Sequence, residues 1–375
     1  MHRILSLIPA LLLLAGLSAA AQNLNRRELP EMELSHARRL LQVPSVDGFI
    51  PLKCDFHMHT VFSDGEVWPR IRLDEAWTDG LDAIAITDHD NYRPHKDFVS
   101  GNYTTSPAIV YQEAAERGIL VIPAIEVTRK MPPGHVNAFF IPDTDIPELH
   151  DTSRIAFMTA MTKLHHMGAL MVWNHPGWAA QQKDTVKWFG IHETMLMNGW
   201  LNGIEVFNTS EWYPVAIQWA VEKNLAPFAN SDIHGPMRSV YNYSEGFIRP
   251  MTLVFATERT KEALHDAIVA GRTVAWFDGM LAGHPPLLAK LFAKSVSSAR
   301  IQNRGGKTTW MISNTTDLAI ELKGTSAEWK GTLSLPPRSA GNLTVKEDIS
   351  SLPVEVTNWH TGMKQCLTTD LLLGN

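Results

Sequence analysis

The chain has 375 residues, 45% of them hydrophobic and 19% charged, with a formal net charge of -6. That balance describes a globular protein and excludes a disordered or fibrous one, and the length fits one large domain plus a modest second one. The net acidity argues against the broad basic surface that counterion-driven nucleic-acid binding needs, although a basic pocket inside an acidic protein stays open.

The chain opens on Arg3, then an apolar run over residues 4–17 broken only by Ser6, Pro9 and Gly16, then the small residues Ser18, Ala19, Ala20 and Ala21. These are the three parts of an export signal, with cleavage expected after Ala21. The run is short for a membrane span of ~20 residues, and no later segment reads as a span. The protein is therefore expected in the periplasm or outside the cell. Residues 22–52 read as a leader packing on the adjoining domain. Cys54 and Cys366 have no paired spacing, so they form neither a disulfide framework nor a zinc finger and read as ordinary buried thiols.

From residue 53 to about 283 short apolar runs alternate with helix-like stretches. The runs cover residues 81–87, 118–125, 136–141, 169–173, 203–207, 226–229 and 251–256. They are continuous rather than alternating, as strands covered on both faces tend to be. Residues 154–167, 213–224 and 260–270 read as helices, with Gly168 and Gly271 as stops. This alternation predicts a parallel sheet, open or closed into a barrel. After about residue 284 the texture changes to short β-like segments at 308–313, 318–322, 331–335, 342–345 and 352–356, separated by Gly, Pro, Asn and Ser. Residues 284–375 read as a small all-β module.

The chemistry gathers at the strand ends. The first strand runs into HMHTVFSDG, residues 57–65, where His57 and His59 share one face of an extended chain. With 16 His in the chain, a chance His-x-His is expected roughly 0.7 times, so that pair alone carries little weight. Later runs end in TDHD at 87–90 and in Glu126. GHV at 134–136 opens the next, NHPG at 174–177 ends another, and SDIHG at 231–235 follows the last. Strand C-termini in a parallel α/β barrel converge on one face. His57, His59, Asp64, His89, Glu126, His175, Asp232 and His234 are therefore expected to meet, with His135 beside them. His165 and His166 are neighbours on a predicted helix and point apart, so they read as non-ligands, as do His192, His265, His284 and His360.

Taken in order, HMHTVFSDG, TDHD, Glu126, GHV, NHPG and SDIHG resemble the PHP superfamily, named for its polymerase and histidinol phosphatase members. Within it the chain is most similar to exported bacterial phosphodiesterases that carry a C-terminal β module. The resemblance covers residues 53–235 and implies a distorted seven-stranded (β/α) barrel. It also implies three divalent metal ions. One would take His57, His59, Glu126 and Asp232. Glu126 would bridge to a second on His135 and His175. A third would take Asp64, His89 and His234. Mixed imidazole and carboxylate donors suit Zn, Mn or Fe without choosing among them. Clustered ions neutralise phosphoryl oxygens and lower the pKa of bound water towards ~7, so hydroxide attack on a phosphodiester is the expected reaction.

Around this core, Asp90, Arg93 and His95 are the candidate catalytic residues, because they follow a strand end on the active face. Arg129 and Arg238 are candidate phosphate clamps, and Asn174 is a candidate for substrate contact or for orienting a ligand. Phosphomonoester hydrolysis, metal-dependent amide or lactone hydrolysis and non-catalytic metal binding are the competing readings. A small phosphate ester is the expected partner; the oligomeric state is not legible.

Overall fold

A computed structural model describes residues 37–142 and 145–374. The expected export signal and residues 22–36 of the expected leader lie outside the described residues. In chain order the first elements are β1 (Ile50–Asp55), α1 (Pro69–Thr78), β2 (Ala83–Ile86), α2 (Thr105–Ala108), α3 (Tyr111–Glu116), β3 (Leu120–Val127) and β4 (Val136–Phe139). Then come α4 (Arg154–His166), β5 (Leu170–Trp173), α5 (Gly190–Met197), β6 (Leu201–Asn208), β7 (Glu211–Trp212), α6 (Pro214–Glu222) and β8 (Ala226–Asn230). This part closes with α7 (Met237–Val240), β9 (Met251–Ala256), α8 (Lys261–Val269), β10 (Thr273–Phe277) and β11 (Met280–Gly283).

Local chemistry sets these boundaries. The Ser153 hydroxyl accepts from the Ala156 N–H at 3.2 Å and opens α4, while Thr260 does the same for Ala263 at α8. Pro69 and Pro214 sit in the first turns of α1 and α6, where a missing N–H costs nothing. Strands β2, β4, β5, β8 and β9 are buried at every residue, which is why their sequences do not alternate.

The sheet is mixed, not uniformly parallel as the alternation predicted. Pairs β1/β2, β2/β3, β5/β6 and β6/β8 are parallel, but β4 runs against both β3 and β5, and β9 runs against β1. The link from β3 to β4 is too short for the crossover of a dozen or more residues that a parallel neighbour requires. This reversal matters for the site. It brings the start of β4, and His135 just before it, to the end where β3 and β5 finish. Strand β8 pairs with β6, and it meets β9 through a side chain: Thr252 Oγ1 accepts from the Ala229 N–H at 3.0 Å and donates to the Ala229 carbonyl at 2.9 Å.

Residues of β1, β2, β3, β4, β5, β8 and β9 share one core cluster that includes Leu52, Ala85, Ile122, Phe139, Val172 and Phe228. Two further clusters pack helices against the outer faces. A fully buried side chain of this size contributes about 1.5–3 kcal/mol. Of the expected leader, residues 38–49 lie against this body: Val46 is in the core, and the Arg39 N–H donates to the Thr78 carbonyl at 2.8 Å.

The remaining elements are α9 (Pro285–Ser295), β12 (Val296–Arg304), β13 (Lys307–Asn314), β14 (Ile320–Gly324), β15 (Thr332–Leu335), β16 (Ala340–Lys346), β17 (Ser351–Gly362) and β18 (Gln365–Leu372). The segment is strand-rich as expected, but a helix opens it. Strand β17 pairs with β11 through Leu281↔Trp359 and Ala282↔His360, so this segment extends the main sheet, while β12, β13 and β16 form a sheet of their own. Both cysteines are free; Cys54 is buried as expected, but Cys366 is partly exposed. Among the described residues no helix is long and apolar enough to cross a membrane.

Candidate metal centre

Chain direction explains why the polar residues converge. His57 and His59 follow β1, His89 follows β2, Glu126 ends β3, His175 follows β5, and Asp232 and His234 follow β8. All nine expected ligands come together. Four groups have ligand atoms within 4.8 Å of one another: His59, Asp64, His89 and His234; His57, Glu126 and His175; His57, His59 and Asp232; and His89, Glu126 and His135.

Glu126 sits at the middle. Its Oε1 lies 3.3 Å from His57 Nε2, 3.0 Å from His135 Nδ1 and 3.4 Å from His175 Nε2. Its Oε2 lies 3.3 Å from His59 Nε2 and 2.9 Å from His89 Nδ1. Asp232 Oδ1 is 3.1 Å from both His57 Nε2 and His59 Nε2. Asp64 Oδ1 is 3.4 Å from His89 Nε2 and 3.3 Å from His234 Nε2.

The electrostatics arise from this crowding. Burial alone would push the Glu126 carboxyl up, but His57, His89 and His135 hold it well below the usual carboxylate range. Burial opposes a charge on His57, yet Asp232, Glu126 and Glu205 outweigh it and hold the imidazole well above its ordinary value. The same contest, won by Glu126 and Asp64, raises His89 to about 10. His59 goes the other way, to about 4, because burial is joined by the neighbouring His234 and His89 rings. A fit to metal ions is visible in the unmet valences: His57 Nε2, His59 Nε2 and Asp64 Oδ1 are buried without a hydrogen-bond partner. Three orphaned ligand atoms in one centre are costly unless an ion takes them up.

A supporting layer holds these donors, and part of it was not anticipated. Glu205, in the middle of an apolar strand, is fully buried. It accepts from His57 Nδ1 at 2.9 Å, Asn230 Nδ2 at 2.9 Å, the His175 N–H at 2.7 Å and Asn208 Nδ2 at 2.8 Å. A carboxylate inside the run GIEVF is the signal that could have revealed it, since a buried charge needs partners. Asp88 accepts from the Thr60 N–H, the Thr60 hydroxyl and the Ser63 hydroxyl, each at 2.7 Å, and so shapes the loop after β1. Arg72 on α1 is fully buried and donates to the carbonyls of His59 (2.8 Å), Gly235 (2.9 Å), Ile233 (3.2 Å) and His234 (2.6 Å). Gly65 lies so close to this loop that a Cβ there would stand 2.6 Å from His59 C and Thr60 N. His175 (φ 25°) and Asp232 (φ 49°) hold left-handed backbone that non-glycine residues rarely adopt. The His175 N–H is anchored on Glu205, and the Asp232 N–H on the His57 carbonyl at 2.8 Å.

The residues expected outside the ligand set fall differently. Asn174 is buried and donates to Glu126 Oε1 at 2.8 Å, so it orients the central carboxylate and does not face a substrate. Arg129 is not a free phosphate clamp. Its guanidinium donates to Asp90 Oδ2 at 2.7 Å and to the carbonyls of Thr128, Leu149 and Asp151, which also removes Asp90 from the catalytic candidates. Arg93 is turned to the carbonyls of Phe62 and Gly101, away from the cluster, because its own loop offers unpaired acceptors. Half-buried His95 shares that loop and does not line the cavity over the cluster. Exposed Arg238 lines a separate groove with residues 239–244. The cavity over the cluster, about 560 Å³, is walled instead by Tyr92, Thr128, Trp178, Gln181, Thr209 and Val240. Trp178 stands 5.6 Å from the His135 ring and 5.4 Å from the His175 ring. Trp173 is core, stacked 3.8 Å from His192.

Comparison with known proteins agrees with this centre. The PHP domain matches residues 55–177. A crystal structure from Bacteroides vulgatus, of a two-domain protein containing a predicted PHP-like metal-dependent phosphoesterase, is 38% identical over 90% of this chain and 100% of its own, with a TM-score of 0.84. An amidohydrolase from Chromobacterium violaceum, with bound sulfate and no metal, is 18% identical over 50% of this chain and 89% of its own. Its TM-score of 0.37 carries no argument. No curated protein matches the chain.

Proposed function

This chain belongs to the PHP family, and we propose that it is an exported metal-dependent phosphoesterase acting on phosphodiesters at a trinuclear centre. The observation that carries the reading is Glu126, reached by five imidazoles, beside three ligand atoms left without partners. We assign His57, His59, Glu126 and Asp232 to one ion, His135 and His175 with Glu126 to a second, and Asp64, His89 and His234 to a third. We also read the seven strands that share the inner core as a distorted barrel.

Bound divalent ions would neutralise phosphoryl oxygens and acidify water towards pH ~7. The chain's own part is positional. Glu126 and Asp232 keep their negative charge through their histidine neighbours, and Glu205 and Asn174 fix the ligands' orientation. Trp178 and Tyr92 limit water at the rim. What favours a diester is the absence, among the described residues lining the cavity over the cluster, of an arginine or lysine free to meet the second charge of a monoester.

The test is turnover of p-nitrophenyl diesters and the monoester, with metal content measured on the same sample. Diester turnover should stop on chelation, return with Mn, Zn or Fe, and vanish in His57→Ala and Asp232→Ala. Full activity without metal, or in either variant, sinks the reading. Cleavage of the monoester alone overturns the diester preference.

A further inference from the structure

Beside the cavity over the ligand cluster lies a second one of about 580 Å³. The two are continuous: Tyr92, Thr128, His135 and Gln181 line both. The second has a different character. One wall is apolar, made by Pro132, Pro133, Phe157 and Ile191 with the Tyr92 ring at the junction. Its rim carries Lys130 and Arg154, both exposed. Neither has a carboxylate partner among the described residues, whereas Arg129 in the same wall is already tied to Asp90. Lys130 and Arg154 do not line the cavity over the cluster, so they are placed for a charge other than that of the reacting phosphoryl group.

We propose that this side cavity is the subsite for the organic group of the ester, and that it selects a flat or apolar group carrying its own negative charge, a carboxylate or a second phosphate, which Lys130 and Arg154 hold. The proposal rests on the phosphoesterase reading and deepens it by giving the substrate class. The physical logic is division of labour. The cluster fixes the reacting phosphate, the apolar wall removes the organic body from water, and two cations at the far rim recognise the second anion. Apolar walls with a few placed charges are how small-molecule sites orient ligands. Arginine and lysine divide this work differently, the first as a fork and the second as a point charge.

The experiment measures binding of three non-hydrolysable probes to the metal-loaded full chain by calorimetry: benzylphosphonate, 4-carboxybenzylphosphonate and 1,4-xylylene diphosphonate. At least one doubly functional probe should bind about tenfold tighter than benzylphosphonate, the gain expected from two solvent-exposed ion pairs. The tighter of the two identifies the second anion as carboxylate or phosphate. The advantage should disappear in the double variant Lys130→Ala/Arg154→Ala and survive in Lys130→Arg/Arg154→Lys. Equal affinity of all three probes, or an advantage that persists in the double alanine variant, overturns the subsite. Turnover of p-nitrophenyl esters by the wild type is read on the same sample. A binding advantage without turnover keeps the subsite and overturns the phosphoesterase reading; turnover with equal binding does the reverse.

Discussion

His57 donates through Nδ1 to Glu205 Oε1 at 2.9 Å, and this contact decides which ring nitrogen faces the centre. An ionised carboxylate only accepts, so Nδ1 carries the proton and Nε2 is directed at Glu126 and Asp232. Every other partner of Glu205 is also a donor. A glutamine there would offer an NH2 to at least one of them and leave buried donors unpaired. Glu205→Gln should therefore weaken metal binding by about 10–100-fold, with metal content after chelator competition as the readout. Wild-type metal retention in this variant would remove Glu205 from the centre's support.

Arg72 joins the two ligand-bearing loops through four carbonyls. A lysine has no planar fork and reaches fewer of them. Arg72→Lys should lower stability by about 3 kcal/mol, as one or two charge-assisted bonds are lost, and should lower metal affinity with it. Urea unfolding and metal titration measure the two effects; an unchanged midpoint would contradict the clamp.

Arg129 and Asp90 form a buried pair, not a substrate clamp. Arg129→Ala leaves a buried carboxylate unpaired and should cost about 3–5 kcal/mol. The double variant with Asp90→Ala should cost less than the sum of the two single changes. Burial already pushes the Asp90 carboxyl up against the pull of Arg129, so removing that pull favours its neutral form. Additive losses in a double-mutant cycle would show that the two do not act together.

Proton and metal should compete at the centre. In the metal-free protein His89 is raised from 6.5 to about 10, first against burial and then by Glu126 and Asp64. A group raised in the folded state contributes stability that is complete below its unfolded value and is lost as pH rises through its folded value. The metal-free chain should thus lose thermal stability from about pH 6.5 to 10, while the metal-loaded chain, whose ions replace those protons, should stay flat over that range. Parallel melting curves for both forms would contradict the assignment.

Much of this was legible along the chain because the signals are local. Each buried strand from β2 to β9, apart from the two-residue β7, shows as a continuous apolar run, and each ligand motif sits at the end or the opening of such a run. Residue type and position relative to a strand are enough to identify all nine residues that converge. The helix Pro285–Ser295 was hidden by the strand-like texture of the residues on its C-terminal side. Strand direction depends on connection length and on partners, which composition does not encode, so the reversal of β4 was not legible either.

What only the tertiary structure decided is the use of each charge. Asp90, Arg93, Arg129 and Arg238 stand close to ligand motifs in sequence, and that proximity carries no direction. Folding turns Arg129 onto Asp90, Arg93 onto two carbonyls and Arg238 into another groove. It brings Glu205, 148 positions from His57, onto its imidazole. The sequence by itself determined which donor atoms the centre has, because those depend on residue type alone. Orientation and pairing depend on contacts between strands far apart in the chain, and a buried charge finds its partner only when the sheet has formed.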